Sequence, residues 1–225
     1  MDPTGVGLAA ELVRSRSARM VAVTGGVAAG KSTFAAALAA DLGDAVVVST
    51  DGFLVSGHER KGFPESYDAV ALAAFVDRAL AGDPTAWAPV YSHLTYDVVP
   101  EARVVVGDAA VVIVEGLHLA SPALGVRDRF DLVVHLDADD ADLESWYLGR
   151  FHELQAAAAD DPTAMLHPYL PLGVEALDAM ALDVWRAVNL VVLREHARPA
   201  AAHADIVLWL GPEHDVLRVE RAPQA

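Results

Sequence analysis

The 225-residue sequence has no cysteine, few positive charges and no apolar run of the roughly 18 residues that a membrane span needs. The lack of cysteine excludes disulfides, thiolate metal sites and cysteine nucleophiles. Because 32 acidic residues stand against 16 basic ones, the formal net charge is -16, and we expect neither a nucleic-acid nor an anionic membrane partner. With no opening signal-like stretch, the sequence favours a cytoplasmic protein.

Short apolar runs rich in β-branched residues alternate with helical patterns along the chain. The runs are Met20–Thr24, Ala45–Ser49, Val111–Val114, Leu132–Leu136 and Ile206–Leu210. The helical patterns lie at 9–16, 33–42, 68–80, 140–158 and 174–194. This alternation predicts one α/β domain over 1–225, with three α/β/α layers around a mainly parallel five-stranded sheet.

Three segments outside this pattern are expected to lie over the carboxyl edge of the sheet, at about 51–67, 88–106 and 150–172. In the second of them, two β-like stretches, 90–99 and 102–106, are separated by Pro100-Glu101. The spacing predicts a β-hairpin excursion there.

The segment from Gly25 to Ser32 reads GGVAAGKS and fits the pattern G-x-x-x-x-G-K-[ST] between a predicted strand and a predicted helix. In such a loop, backbone N–H groups surround a phosphate, the lysine reaches the β- and γ-phosphates, and the serine can ligate Mg²⁺. A chance glycine-rich turn is the alternative. The residues predicted to bind ATP are Gly25, Gly26, Val27, Ala28, Ala29, Gly30, Lys31, Ser32 and Thr33.

Two predicted strands end in a carboxylate, Asp51 after the second run and Glu115 after the third. Ligands of open α/β sheets bind beyond the carboxyl ends of the strands, so both side chains are expected to face the γ-phosphate. Glu115 resembles the acidic residue that helps hold Mg²⁺, together with Ser32. An ordinary turn is the alternative for Asp51-Gly52 taken alone.

The stretch from Tyr91 to Tyr96 carries two tyrosines and a histidine. On a regular strand Tyr91 and His93 share a face and Tyr96 points away, so a bulge or turn near 94–95 is needed to bring all three to one pocket. An exposed hairpin that happens to carry aromatic residues is the alternative.

Helical spacing places Tyr147 and Arg150 on one face together with Phe151 and Leu154. Arg150 either belongs to a packing face with its guanidinium in water or reaches ATP from a lid. Asn189 lies among apolar residues and, if buried, needs a partner in the backbone or in a substrate.

Together these motifs resemble bacterial type I pantothenate kinases, within the phosphoribulokinase and uridine kinase group of P-loop proteins. The similar strings, between about residues 20 and 210, are GGVAAGKST, STDGFL, KGFPESYD, APVYSHLTYDVVP, VVIVEGL, ESWYLGRF and VWRAVNL. The resemblance implies an adenylate-kinase-like P-loop fold with a helical lid, a homodimer, ATP·Mg²⁺ as donor, and phosphorylation of pantothenate in coenzyme A biosynthesis.

The resemblance also implies roles for individual residues. Asp51 would be the base on the acceptor hydroxyl, with Lys31 and Arg150 acting on the phosphates. The residues implied to line the pantothenate pocket are Tyr91, His93, Tyr96, Tyr147 and Asn189.

The sequence departs from that family at several positions. Only 19 residues precede the first predicted strand, Ala36 stands where the family usually has arginine, and Leu154 and Leu166 stand in place of phenylalanines. These departures leave two alternatives open. One is a kinase of another small alcohol, such as uridine or a sugar-like hydroxy compound, and the other is a nucleotide-binding regulator without turnover.

Overall fold

The computed structural model describes residues 3–221, which form eight strands within that range. They are β1 (Met20–Gly25), β2 (Ala45–Ser49), β3 (Trp87–Ser92), β4 (Asp97–Val105), β5 (Val111–Glu115), β6 (Leu132–Ala138), β7 (Ile206–Leu210) and β8 (Val216–Arg221). Six of them form one sheet in the order β2-β5-β1-β6-β7-β8, and β3 pairs with β4 in a separate sheet.

The parallel part of the large sheet contains the five predicted strands. Strand β8 adds a sixth, antiparallel to β7, that the sequence patterns do not predict. Its sequence VLRVER mixes apolar and charged residues because the strand lies at the sheet edge, where most of its side chains are exposed.

The main helices are α1 (Pro3–Arg16), α2 (Lys31–Leu42), α3 (Ala69–Leu80), α4 (Asp140–Ala158) and α5 (Val174–Val184). Helix α1 begins earlier than predicted, whereas α4 has the predicted bounds, 140–158. It therefore overlaps the segment expected to be irregular at 150–172, of which 167–172 forms a 3-10 helix. After α5 the helical backbone continues to His203, past the predicted end. It passes through two π-helical turns, Trp185–Asn189 and Leu193–Ala197.

The turn of the β3–β4 hairpin differs from the one expected at Pro100-Glu101. The chain reverses at residues 93–96, and Pro100-Glu101 lies in an irregular part of β4. There Pro89 pairs with Arg103 while Tyr91 already pairs with Val98, so β4 carries extra residues. Proline lacks a backbone N–H, and a bulge accommodates it within a strand.

The sheet has an apolar layer on each face, as the α/β/α prediction requires. Residues of α1 and α2, including Phe34 and Leu38, cover one face, while residues of α3, including Leu72 and Phe75, cover the other. Alternate residues of each buried strand face opposite layers. The parallel strands β1, β2 and β5 are neighbours, so the loops that follow them meet at one edge.

Asp68 caps α3, because its carboxylate accepts a 2.8 Å hydrogen bond from the Ala71 N–H. We expect Asp68→Ala to lower the free energy of unfolding by about 1 kcal/mol, since an N-terminal N–H loses its partner. Asp68→Asn keeps an accepting oxygen and should stay close to wild type. Urea unfolding measures both variants, and equal midpoints for Asp68→Ala and wild type would contradict the assigned cap.

Candidate functional site

The predicted nucleotide-binding residues 25–33 form the turn between β1 and α2 and the first turn of α2. Gly25 has a φ of 143°, and a Cβ there would lie 2.2 Å from the carbonyl oxygen of Leu136. Ala28 and Gly30 also have positive φ, at 63° and 79°. This backbone course requires glycine at position 25 and brings the loop to the N-terminus of α2, where partial positive charge favours a phosphate.

Lys31 lies between the phosphate loop and two carboxylates. Its Nζ donates a 2.7 Å hydrogen bond to the carbonyl oxygen of Gly26. Burial lowers the pKa of Lys31, and the negative charges of Glu115 and Asp51 oppose that shift. The ammonium is therefore held against the loop, at the position from which it can reach a phosphate.

Asp51 follows β2 in a short 3-10 helix, Thr50–Phe53, where the Ser49 hydroxyl accepts a hydrogen bond from its backbone N–H. Its Oδ1 accepts a 3.4 Å hydrogen bond from the Tyr67 hydroxyl, and its Oδ2 lies 3.5 Å from Nε2 of His93. Burial raises the pKa of Asp51, whereas the charges of Lys31 and Arg150 lower it. This carboxylate thus joins the phosphate side of the site to an aromatic side.

Glu115, the last residue of β5, is 6% exposed and lies beside the phosphate loop. Its Oε1 accepts a 3.1 Å hydrogen bond from the Ser32 hydroxyl. Burial raises the pKa of Glu115, and the nearby Lys31 ammonium opposes the shift. The pair offers two hard oxygen donors of the kind that Mg²⁺ binds.

The hairpin turn gathers the predicted acceptor-side aromatics, because the chain reverses near 94–95 as a common pocket requires. Tyr91 has its ring centroid 5.1 Å from that of His93 and 6.2 Å from that of Tyr96. The backbone of Tyr96 has a φ of 58°, and the residue is 43% exposed. Since His93 contacts Asp51, and the charge of Asp51 also raises the pKa of Tyr91 and Tyr96, these rings lie around Asp51 and do not belong to a free, exposed hairpin.

His93 lies near two cations as well as Asp51. Burial, followed by the positive charges of Arg150 and Lys31, lowers the pKa of His93 to about 4. The contact between His93 and Asp51 at neutral pH therefore joins an uncharged imidazole to a carboxylate, and it is not an ion pair.

Helix α4 brings Tyr147 and Arg150 to the same cluster. The Arg150 guanidinium lowers the pKa of Asp51 and of His93, and it makes no ion pair with any residue in 3–221. The hydroxyl of Tyr147 is hydrogen-bonded by the Asn189 side chain, which lowers its pKa against the larger raising effect of burial. Asn189 is only half-buried, so it also has a side open to a ligand.

Two residues outside the predicted set, Lys61 and Tyr67, also face this cluster. The Lys61 ammonium donates a 2.6 Å hydrogen bond to the Tyr96 carbonyl oxygen and lies 4.6 Å from the Tyr96 ring centroid. Lys61 and Lys31 are the only lysines among 16 basic residues. This scarcity of lysine is the one sequence feature that distinguishes Lys61 as a candidate site residue. No spacing rule links Tyr67 to Asp51, because their contact depends on the path of the loop between them.

The comparisons with known proteins agree with this geometry. No protein-family profile matches the chain. A pantothenate kinase of Streptomyces coelicolor is 41% identical over 223 residues, which cover 89% of this chain and 68% of that protein. A pantothenate kinase of Sorangium cellulosum is 41% identical over 219 residues, which cover 89% of this chain and 71% of that protein. The chain belongs to the pantothenate kinase family.

Solved structures support the fold of this pantothenate kinase family member. A protein of Silicibacter sp. TM1040, described as a fructose transport system kinase, superposes with a TM-score of 0.66 at 23% identity. The superposition covers 84% of this chain and 92% of the Silicibacter chain. Phosphoribulokinase from Rhodobacter spheroides gives a TM-score of 0.51 at 17% identity over 86% of this chain and 70% of its own. The P-loop kinase fold is therefore confirmed.

Two buried histidines near the site predict an acid-sensitive fold. Burial lowers the pKa of His118 and of His135 from 6.5 to about 4. At pH values between about 4 and 6.5, these histidines bind protons in the unfolded chain but not in the folded one, so stability is lost as the pH falls. We expect the free energy of unfolding to drop by about 1 kcal/mol per pH unit for each histidine.

Urea unfolding at several pH values between 4 and 7 measures this slope. His135→Leu should reduce it, whereas His203→Gln, at an exposed position, should not. A stability that does not change over this range would contradict the prediction.

Proposed function

We propose that the protein transfers the γ-phosphoryl group of ATP to the primary alcohol of pantothenate, giving 4'-phosphopantothenate in coenzyme A biosynthesis. Family membership supports the acceptor, because the relatives are pantothenate kinases. The observation that carries the chemistry is the position of Asp51, which lies between Lys31 of the phosphate loop and His93 of the acceptor side.

The phosphate loop and Lys31 would hold the donor. Backbone N–H groups at the start of α2 and the Lys31 ammonium match the charge of the β- and γ-phosphates. Residues 3–221 contain no group of three or more His, Cys, Asp or Glu side chains that could hold a metal alone. Mg²⁺ would therefore bind through Ser32, Glu115 and phosphate oxygens, where it would neutralise charge on the transferred group.

Asp51 would orient the acceptor alcohol and take its proton. A pKa raised by burial makes the carboxylate a stronger base than an exposed aspartate, while Lys31 and Arg150 favour its ionised form. Arg150, which has no protein ion pair within the described chain, is free to contact the transferred phosphoryl group.

The acceptor-side cluster suits a small polar molecule with amide, hydroxyl and carboxylate groups. It offers the hydroxyls of Tyr91, Tyr96 and Tyr147, the uncharged imidazole of His93 and the amide of Asn189. These donors and acceptors match pantothenate in kind.

Three further expectations remain proposals: a homodimer, which the family resemblance implies, a cytoplasmic location, and the lack of a nucleic-acid partner, which the net charge of -16 favours. No helix in residues 3–221 is long and apolar enough to cross a bilayer.

An ATP-consumption assay with pantothenate tests the proposed function, with uridine, cytidine and ribulose 5-phosphate as competing acceptors. We expect turnover with pantothenate and a loss of about 10²–10⁴ in kcat for Asp51→Asn, the usual contribution of a general base. Asp44→Asn, at an exposed position before β2, is the matched control and should retain activity. Faster turnover with another alcohol would overturn the acceptor, and lost ATP binding with preserved kcat in Asp51→Asn would overturn the base.

The Lys31 ammonium would stabilise charge on the migrating phosphoryl group, so removing it should weaken catalysis. We expect Lys31→Ala to lose at least roughly 3 kcal/mol of transition-state stabilisation, measured as kcat/KM for ATP. Lys31→Arg keeps the charge but presents a planar group, so its kcat/KM for ATP should lie between those of Lys31→Ala and wild type. Near-wild-type turnover by Lys31→Ala would contradict this role.

A further inference from the structure

Tyr67 lies in the KGFPESYD segment, between a 3-10 turn (Pro64–Ser66) and the cap of α3, and it is 6% exposed. Its backbone forms a β-bridge with Leu54, and two further hydrogen bonds of 2.8 Å flank it. These join the Val55 N–H to the Ser66 carbonyl and the Asp68 N–H to the Phe53 carbonyl. Tyr67 is thus fixed to the chain that directly follows Asp51.

The hydroxyl of Tyr67 donates to Oδ1 of Asp51 over 3.4 Å, while Oδ2 faces His93 on the acceptor side. Tyr67 is almost completely buried, whereas Tyr91 and Tyr96 of the hairpin, which also lie near Asp51, are partly exposed. The other titratable or charged groups around Asp51 are Lys31, Arg150, Glu115, His93, Tyr91 and Tyr96. Tyr67 is therefore suited to hold the carboxylate without occupying the acceptor pocket.

His118, just beyond β5, supports the Tyr67 ring from behind. The two ring centroids are 5.6 Å apart in an edge-to-face arrangement. His118 is 1% exposed and remains uncharged at neutral pH, because burial lowers its pKa to about 4. Its Nε2–H donates a 2.7 Å hydrogen bond to the Gly62 carbonyl, so the same imidazole holds the start of the KGFPESYD segment.

We propose that Tyr67 is a positioning residue for Asp51. Its hydroxyl binds Oδ1 and fixes the carboxylate rotation at which Oδ2 meets the acceptor alcohol. This inference rests on the proposed role of Asp51 as the base. Burial and the charge of Asp51 raise the pKa of Tyr67 well above 10, so the hydroxyl keeps its proton and donates at every working pH.

The direct test is Tyr67→Phe, which removes the hydroxyl and keeps the ring against His118. We expect kcat to fall about 10-fold, as for the loss of one hydrogen bond to a charged group, with KM for ATP unchanged. In the Asp51→Asn background the same substitution should change kcat by less than about 2-fold, because the group it positions is already impaired. Urea unfolding of Tyr67→Phe should match wild type within about 1 kcal/mol.

A second readout does not require the acceptor to be known. The side-chain carboxyl of Asp51 can be followed by carbon-13 NMR in the ligand-free protein and assigned by its loss in Asp51→Asn. Because the Tyr67 hydroxyl favours the ionised carboxylate, Tyr67→Phe should raise the pKa of Asp51.

The outcomes separate the two proposals. A wild-type protein that does not phosphorylate pantothenate overturns the proposed acceptor, and the NMR titration still decides the role of Tyr67. An unchanged Asp51 titration in Tyr67→Phe overturns the positioning role. So does a loss of kcat that is equally large in the Asp51→Asn background, since that would show that Tyr67 acts through another group.

Discussion

The site depends on one cation held between two carboxylates at the edge of a parallel sheet. Asp51 and Glu115 lie at the carboxyl ends of neighbouring strands, where burial raises the pKa of both, and the charge of Asp51 raises that of Glu115 further. The Lys31 ammonium opposes these shifts, and it lies at the start of α2, which follows the next strand of the sheet, β1. The carboxyl ends of neighbouring parallel strands lie at one edge of the sheet, so the strand order brings Lys31, Asp51 and Glu115 together as a triangle. His93 of the aromatic cluster contacts this triangle at Asp51.

Close backbone approach fixes the loops around that triangle. A Cβ at Gly25 would lie 2.2 Å from the Leu136 carbonyl oxygen, and a Cβ at Gly52 would lie 2.0 Å from that of Pro89. The first contact presses the phosphate loop onto β6. The second presses the turn that carries Asp51 onto the hairpin that carries Tyr91 and His93. The distance between Asp51 and the aromatic cluster is therefore set by backbone contacts, which change less easily than side-chain contacts.

Most of the parallel sheet could be predicted from the sequence, because buried strands need continuous apolar runs and the phosphate loop has a strict pattern. The ends of these elements place Lys31, Asp51 and Glu115 without further information. Strand β8 could not be predicted, since an exposed edge strand needs no apolar run. The hairpin turn was expected at Pro100-Glu101, whereas the structure bends at 93–96 and accommodates the proline in a bulge.

The contact between Tyr67 and Asp51 could not be predicted for a different reason. It depends on the fold of the segment between them, and neither periodicity nor composition determines the path of such a segment. The wide spacing between Tyr147 and Asn189 presents the same difficulty, since their contact requires α4 to pack against the helical stretch that contains a π-helical turn.

A crystal structure with pantothenate and a non-hydrolysable ATP analogue with Mg²⁺ would test the central claim most directly. We expect the primary hydroxyl of pantothenate to lie within about 2.6–3.2 Å of the Asp51 carboxylate, with its oxygen in line with the γ-phosphorus. The other end of the molecule should lie among Tyr91, Tyr96, Tyr147 and Asn189. Pantothenate bound away from Asp51, or Asp51 ligating Mg²⁺ without contacting the alcohol, would contradict the account.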